Sequence, residues 1–140
     1  MIVTYVPPEY VDTVWGIAGA MLRPAAEFNN GRYTVKDAYH GIQNATMQLW
    51  LAFDNDDEDK KIYGSIVTMI THYPSKKYLT VLMVGGSKMY LWMDTLADIV
   101  EKWARDNECD GVEGYGRIGW KKLLNRFGGT TQISIFEKEF

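Results

Sequence analysis

The six residues Met83-Val84-Gly85-Gly86-Ser87-Lys88 form the first stretch whose types and spacing point to chemistry. They lie between an apolar, β-branched run, YLTVLMV (78–84), and a helical pattern that begins near Met89. A strand that meets a helix through glycines gathers free backbone N–H groups at the positive end of the helix dipole, where an anion is stabilised. Met83 to Lys88 are therefore the candidate cofactor-binding loop, with Lys88 as a source of positive charge. The same residues also suit a plain turn with Ser87 as helix N-cap, and a hydroxyl bonded to the helix amides would occupy one anion donor. Gly-Gly before a helix is a weak phosphate motif, so the turn is the simpler expectation.

A second group follows in CDGVEGY (109–115) and YGRIGW (115–120). Glu113 alternates with Val112, so one of the two faces inward. Glu113, or a water it holds, is the candidate general base, and Tyr115, between Gly114 and Gly116, is a candidate proton donor facing a cleft. The plainer expectation is a solvent-side Glu113 and a packed Tyr115. Arg117 and Trp120 suit a carboxylate and an aromatic group, or, with Tyr115, an interface, where Arg and Trp are enriched.

Other residues exclude chemistry. Asp54, Asp56 and Glu58 alternate as in a calcium loop. The central Gly is missing, however, and Ser65 stands where the bidentate Glu belongs, so a solvated hairpin tip is expected. His40 and His72 have no acidic or Cys partner at a ligand spacing, and no metal site is expected. Cys109 has no His nearby in sequence and reads as a buried strand residue.

The elements that must position these groups are legible at a coarse level. IVTYV (2–6) is a strand stopped by Pro7-Pro8. A helix runs from Pro8 to about Leu22, with Val11, Val14, Ala18 and Leu22 at helical spacing and Pro24 closing it. Thr34 and Asp37 form a capping box for a second helix. MQLWLAF (47–53), with Gln48 and Trp50 alternating against apolar neighbours, KIYGSIVTMITHY (61–73) and YLTVLMV (78–84) read as an antiparallel meander. A helix over 88–106 carries a stripe of Met89, Trp92, Met93, Leu96, Ile99, Val100 and Trp103. A strand (109–115), a short helix (119–127) and a strand (130–140) complete the order β-α-α-β-β-β-α-β-α-β, read as one α/β domain spanning 1–140.

Composition bounds the function. The 140 residues are 46% hydrophobic, enough to fill one core. The net charge of −3 argues against a general nucleic-acid or anionic-membrane surface. One cysteine allows no intrachain disulfide. No apolar run approaches the roughly 20 residues of a membrane span, and the first residues do not read as a signal peptide.

The element order and the glycine turn after the fourth strand resemble the GNAT acetyltransferase superfamily over nearly the whole chain. The resemblance implies a mixed sheet whose fourth and fifth strands splay apart around acetyl-CoA. The pantetheine arm then pairs with the fourth strand, and the pyrophosphate sits on the following helix N-terminus. The family loop is usually Q/R-x-x-G-x-G/A; here Gly85 and Gly86 are adjacent, and no Gln or Arg stands at the first position. Many members end with N-x-x-A-x-x-L-Y-x-x-x-G-F, whose Asn and Tyr line the cofactor thiol. Anchored on Gly128, that pattern places Arg117 at the Asn, Trp120 at the Ala, Leu123 at the Leu, Leu124 at the Tyr and Gly129 at the Phe. A leucine has no proton to give a departing thiolate, so the usual general acid is missing.

From Leu82 to Gly129 the chain resembles the small acetyltransferase-like proteins that tailed bacteriophages encode among their head and virion genes. Those often carry a Val-Gly-Gly turn and a Gly-Arg-x-Gly-Trp turn after the fifth strand. The resemblance implies a catalytically degenerate GNAT scaffold that binds other virion proteins or copies of itself. It would be made in the cytoplasm of an infected bacterium and carried into the virion, with acetyl-CoA bound weakly or not at all. The alternative is an acetyl-CoA-dependent N-acetyltransferase with an atypical pyrophosphate loop.

Overall fold

A computed structural model describes residues 1–29, 31–116, 125, 128–129 and 136–140. In chain order the elements are β1 (Ile2–Val6), α1 (Val11–Ala26), α2 (Val35–Gln43), β2 (Gln48–Phe53), β3 (Ile62–His72), β4 (Lys77–Gly86), α3 (Met93–Asp106) and β5 (Gly111–Gly114). Short 3-10 turns at Pro8–Tyr10, Glu27–Asn29 and Met89–Leu91 join some of them. The strands form one sheet in the order β1-β2-β3-β4-β5. β1 to β4 are antiparallel neighbours, and β5 is parallel to β4. This is the expected mixed α/β architecture. Of the expected helix over 119–127 only residue 125 is described; of the expected strand over 130–140, residues 130–135 lie outside the described residues and 136–140 carry no regular structure.

Helices cover both faces of the sheet. Leu22, Ile42, Leu49, Leu51, Val67 and Met83 pack together beneath α1 and α2. Trp50, Ile66, Leu79, Trp92, Leu96 and Val100 pack on the opposite face, beneath α3. A strand covered on both faces has no polar side, which corrects the alternation read into β2. Gln48 and Trp50 are as buried as Leu49 and Leu51. Gln48 is satisfied inside: its Oε1 accepts from Thr68 Oγ1 at 2.8 Å, and that hydroxyl accepts from Trp50 Nε1 at 3.0 Å. Buried polar groups persist where they are paired in this way.

Local signals explain the helices. Thr34 Oγ1 accepts from the Asp37 amide at 3.0 Å while Asp37 Oδ2 accepts from the Thr34 amide at 2.8 Å, so the capping box is formed. The Tyr39 hydroxyl donates to Asp12 and ties α2 to α1. α1 runs past Pro24 to Ala26, because a proline near the last turn removes only one hydrogen bond there. Among the described residues no helix is long and apolar enough to cross a membrane.

Candidate active site

β4 is held on one side throughout its length and on the other only in part. It pairs with β3 as far as Gly86, opposite Gly64. With β5 it pairs only from Tyr78 opposite Gly111 to Val81 opposite Gly114. A 3.4 Å bond from the Tyr115 amide to the Val81 carbonyl is the last between them. Beyond it, Leu82 to Gly86 have no partner strand on that side among the described residues, so β4 and β5 part there.

Two features set this opening. The start of β5 is clamped: the Asp110 amide donates to the Lys77 carbonyl at 2.7 Å and the Lys77 amide to Asp110 Oδ2 at 2.9 Å. Lys77 Nζ also reaches the Asn107 carbonyl at 2.6 Å, which fixes the end of α3 to the same point. The second feature is a β-bulge. Thr68 faces Val81 and Val67 faces Met83, so Leu82 is an extra residue in β4. Leu82 and Met83 both pack toward α1 and α2, whereas Val81 and Val84 pack toward α3. A bulge bends and twists its strand, here where β5 departs.

Glu113 stands at the mouth of the opening, in register with Thr80. Its Oε1 accepts from Thr80 Oγ1 at 2.8 Å and from the Tyr73 hydroxyl at 2.6 Å. Thr80 Oγ1 lies 2.6 Å from Thr71 Oγ1. Because the single Thr80 proton is given to Glu113, Thr71 is the donor in that pair. Donation to Glu113 holds the Tyr73 phenol far above its ordinary range and therefore protonated. Tyr115, the residue directly after β5, is 53% exposed. The plainer expectation of a solvent-side Glu113 is thus replaced by a half-buried carboxylate with two hydroxyl donors, and the packed Tyr115 by an exposed one.

The Met83–Lys88 loop is committed to packing at several points. A Cβ at Gly85 would lie 1.9 Å from the Met21 carbonyl oxygen of α1. Gly86 has φ +130°, and a Cβ there would lie 2.1 Å from the Tyr63 carbonyl oxygen. The Ser87 amide donates to that Tyr63 oxygen at 2.8 Å, and the Ser87 carbonyl accepts from Trp92 Nε1 at 2.9 Å. Ser87 is not a helix cap, correcting the sequence reading: Lys88, left-handed at φ 52°, caps the Met89–Leu91 turn, and Trp92 caps α3. The helix read from position 88 therefore begins at Met93. Trp92 is fully buried against Gly64, where a Cβ would meet its ring at 2.6 Å. What the loop leaves for an anion is the amides of Lys88, Met89 and Tyr90, which open the 3-10 turn without an intrahelical acceptor. Two cations stand over the ring of Tyr63, the residue whose carbonyl holds the Ser87 amide: Lys88 Nζ is 5.5 Å and Lys61 Nζ 5.2 Å from its centroid.

Many solved structures match the chain along its length, among them three with named activities. One is an aminoglycoside acetyltransferase from an uncultured soil metagenomic sample (TM-score 0.71, 10% identity, covering 99% of this chain and 97% of that one). Another is glucosamine-6-phosphate N-acetyltransferase from Arabidopsis thaliana (TM-score 0.67, 12% identity, 100% and 99%). The third is ribosomal-protein-alanine N-acetyltransferase from Brucella melitensis (TM-score 0.62, 13% identity, all of both chains). The fold is that of the GNAT acetyltransferases. No protein-family model and no curated protein matches the sequence.

Within the GNAT fold, the structure brings Glu113 and Tyr115 to the mouth of the opening and Met83 to Lys88 to the far end of β4. Arg117 and Trp120 lie outside the described residues, as do Leu123 and Leu124. Cys109 is partly buried beside the α3 core, and burial pushes its thiol up, away from the reactive thiolate. Asp54 and Asp57 side chains accept from the amides of Asp56 and Asp59, a self-bonded turn between β2 and β3. Sequence reasoning missed Tyr73, Thr80 and Lys61. Tyr73 and Thr80 reach Glu113 across 40 and 33 positions, a relation that only the strand register reveals.

Proposed function

We propose that the opening between β4 and β5 is an acyl-donor site and that the protein is an acetyl-CoA-dependent N-acetyltransferase with an atypical pyrophosphate loop. The observation that carries this reading is the parting of the two strands directly beyond Glu113, a carboxylate already held by two hydroxyls. Acetyl-CoA would supply an acyl group activated as a thioester. The free side of β4 from Leu82 to Val84 fits its extended arm, since unpaired strand amides and carbonyls take an extended ligand as they take a strand. The amides of Lys88 to Tyr90, with Lys61 and Lys88, fit its phosphates. Glu113 would accept a proton from the acceptor's ammonium group and leave a neutral amine able to attack. Three of the structural neighbours are named for acceptors as different as an aminoglycoside, glucosamine-6-phosphate and a ribosomal-protein alanine.

A second reading is a phage virion or assembly scaffold that no longer catalyses, binding its partner through Tyr115, Arg117 and Trp120. The spent loop favours it: both glycines answer to packing, and the Ser87 amide is taken. Support also comes from the likeness of segment 82–129 to phage head-gene proteins. Calorimetric titration with acetyl-CoA separates the two. The enzyme reading expects saturable binding that weakens with salt, and amine acetylation that Glu113→Gln slows about a hundredfold or more. No binding, together with the protein's recovery from purified phage particles, would establish the scaffold instead.

A further inference from the structure

Two donors converge on one oxygen of Glu113. Tyr73 and Thr80 both give their protons to Oε1, at 2.6 and 2.8 Å, and Oε2 has no hydrogen-bond partner among the described residues. The Tyr73 end of this arrangement is itself fixed. The Tyr73 amide donates to the Lys76 carbonyl at 2.8 Å and closes the turn between β3 and β4. Its ring meets that of Tyr78 edge-on, with centroids 6.1 Å apart and planes at 73°. Tyr78 in turn occupies the space over Gly111, where a Cβ would lie 2.6 Å from Cε1. A glycine at the start of β5 thus makes room for one ring, which supports a second, whose hydroxyl holds the carboxylate.

We infer that Tyr73 is a positioning residue: with Thr80 it occupies Oε1 of Glu113 and turns the open Oε2 toward the mouth of the β4–β5 opening as the proton acceptor. This rests on the acetyltransferase reading. A carboxylate that stands partly exposed on a strand otherwise samples several rotamers, and only some would present an oxygen to an acceptor amine. Tyr73 is itself 41% exposed, so its hydrogen bond adds little to the fold, and the hydroxyl can be removed without unfolding the chain. Thr80, buried and bonded to Thr71, supplies the fixed half of the grip, while Tyr73 supplies the half that sets its angle.

The test pairs acetyl-transfer kinetics with an alkaline ultraviolet titration of the phenols. Tyr73→Phe should leave the unfolding midpoint and the KM for acetyl-CoA unchanged while lowering kcat about tenfold. In the wild type two phenols should ionise above the ordinary range, Tyr39 beside Asp12 and, more strongly held, Tyr73. Glu113→Gln should return Tyr73 to the ordinary range, and Tyr73→Phe should delete the more strongly held phenol from the titration. A wild type that acetylates amines while Tyr73→Phe keeps full kcat overturns this inference alone. So does a titration in which no tyrosine responds to Glu113→Gln, even if the Phe variant is too unstable to assay. A wild type that transfers no acetyl group overturns the acetyltransferase reading, and the role of Tyr73 with it.

Discussion

A methyl group added at Gly85 would be driven into the Met21 carbonyl of α1, because β4 passes directly beneath that helix backbone. Gly85→Ala is expected to cost about 1–3 kcal/mol, the range of an overpacked core, read as a shift in urea midpoint with an unchanged m-value. Gly86→Val would be worse, since φ +130° is closed to a branched side chain. Loss of acetyl-CoA binding in that variant would report a broken turn and say nothing of a phosphate contact. At this scale the sequence is ambiguous for a physical reason. A glycine is required equally by a close backbone approach, by a positive φ and by a bound anion, and the residue type is identical in all three. Glu113 shows the complementary limit: its type suggested a base, but its two hydroxyl partners come from β4 and from the turn between β3 and β4.

Periodic elements were the most legible. The α3 stripe was read correctly because its apolar residues recur over a long stretch, and Trp92, Leu96 and Val100 are buried as that pattern requires. Leu96→Ala should cost about 2–5 kcal/mol in chemical denaturation. The helix start was misplaced because the Met89–Leu91 turn carries the same apolar pattern as the helix that follows. The exposed side of α3 holds the ion pairs Glu101–Arg105 and Lys102–Asp106, which as solvated pairs contribute little. The α2 start makes a pH-dependent contribution of known sign. Hydrogen bonds from the Thr34 amide and hydroxyl region hold the Asp37 carboxyl below its ordinary range. A group lowered in the folded state stabilises fully above its unfolded value, about 3.9, and loses that contribution as pH falls through the folded value. Asp37→Asn should therefore flatten part of the acid-side decline in urea midpoint measured from pH 6 downward, and leave the shape above pH 6 as it was.

The molecule as a whole joins two cores through one sheet, and the order of its elements was readable because each alternation of strand and helix has its own period. The opening was not readable, because it depends on where pairing stops, and nothing in a strand's composition states its last partner. The two lysines over Tyr63 belong to the same class of feature: Lys61 enters from the start of β3 and Lys88 from the end of β4. The extra residue in β4 has a further meaning for how this chain tolerates changes in length. Removing one residue from a paired strand ordinarily turns every later side chain to the wrong face. At Leu82 the arithmetic differs. With that residue gone, Val81 and Met83 would become neighbours already opposite Thr68 and Val67, and already on opposite faces. The ladder would close up regularly, with Gly85 still under Met21 and Gly86 still beside Tyr63. A Leu82 deletion is thus a frame-preserving cut: it should fold, at the expense of one buried leucine, and straighten β4. Amide exchange protection would then extend from Val81 toward Val84 as β5 followed the straightened edge, and a mouth that stayed open in that variant would show that the bulge does not shape it.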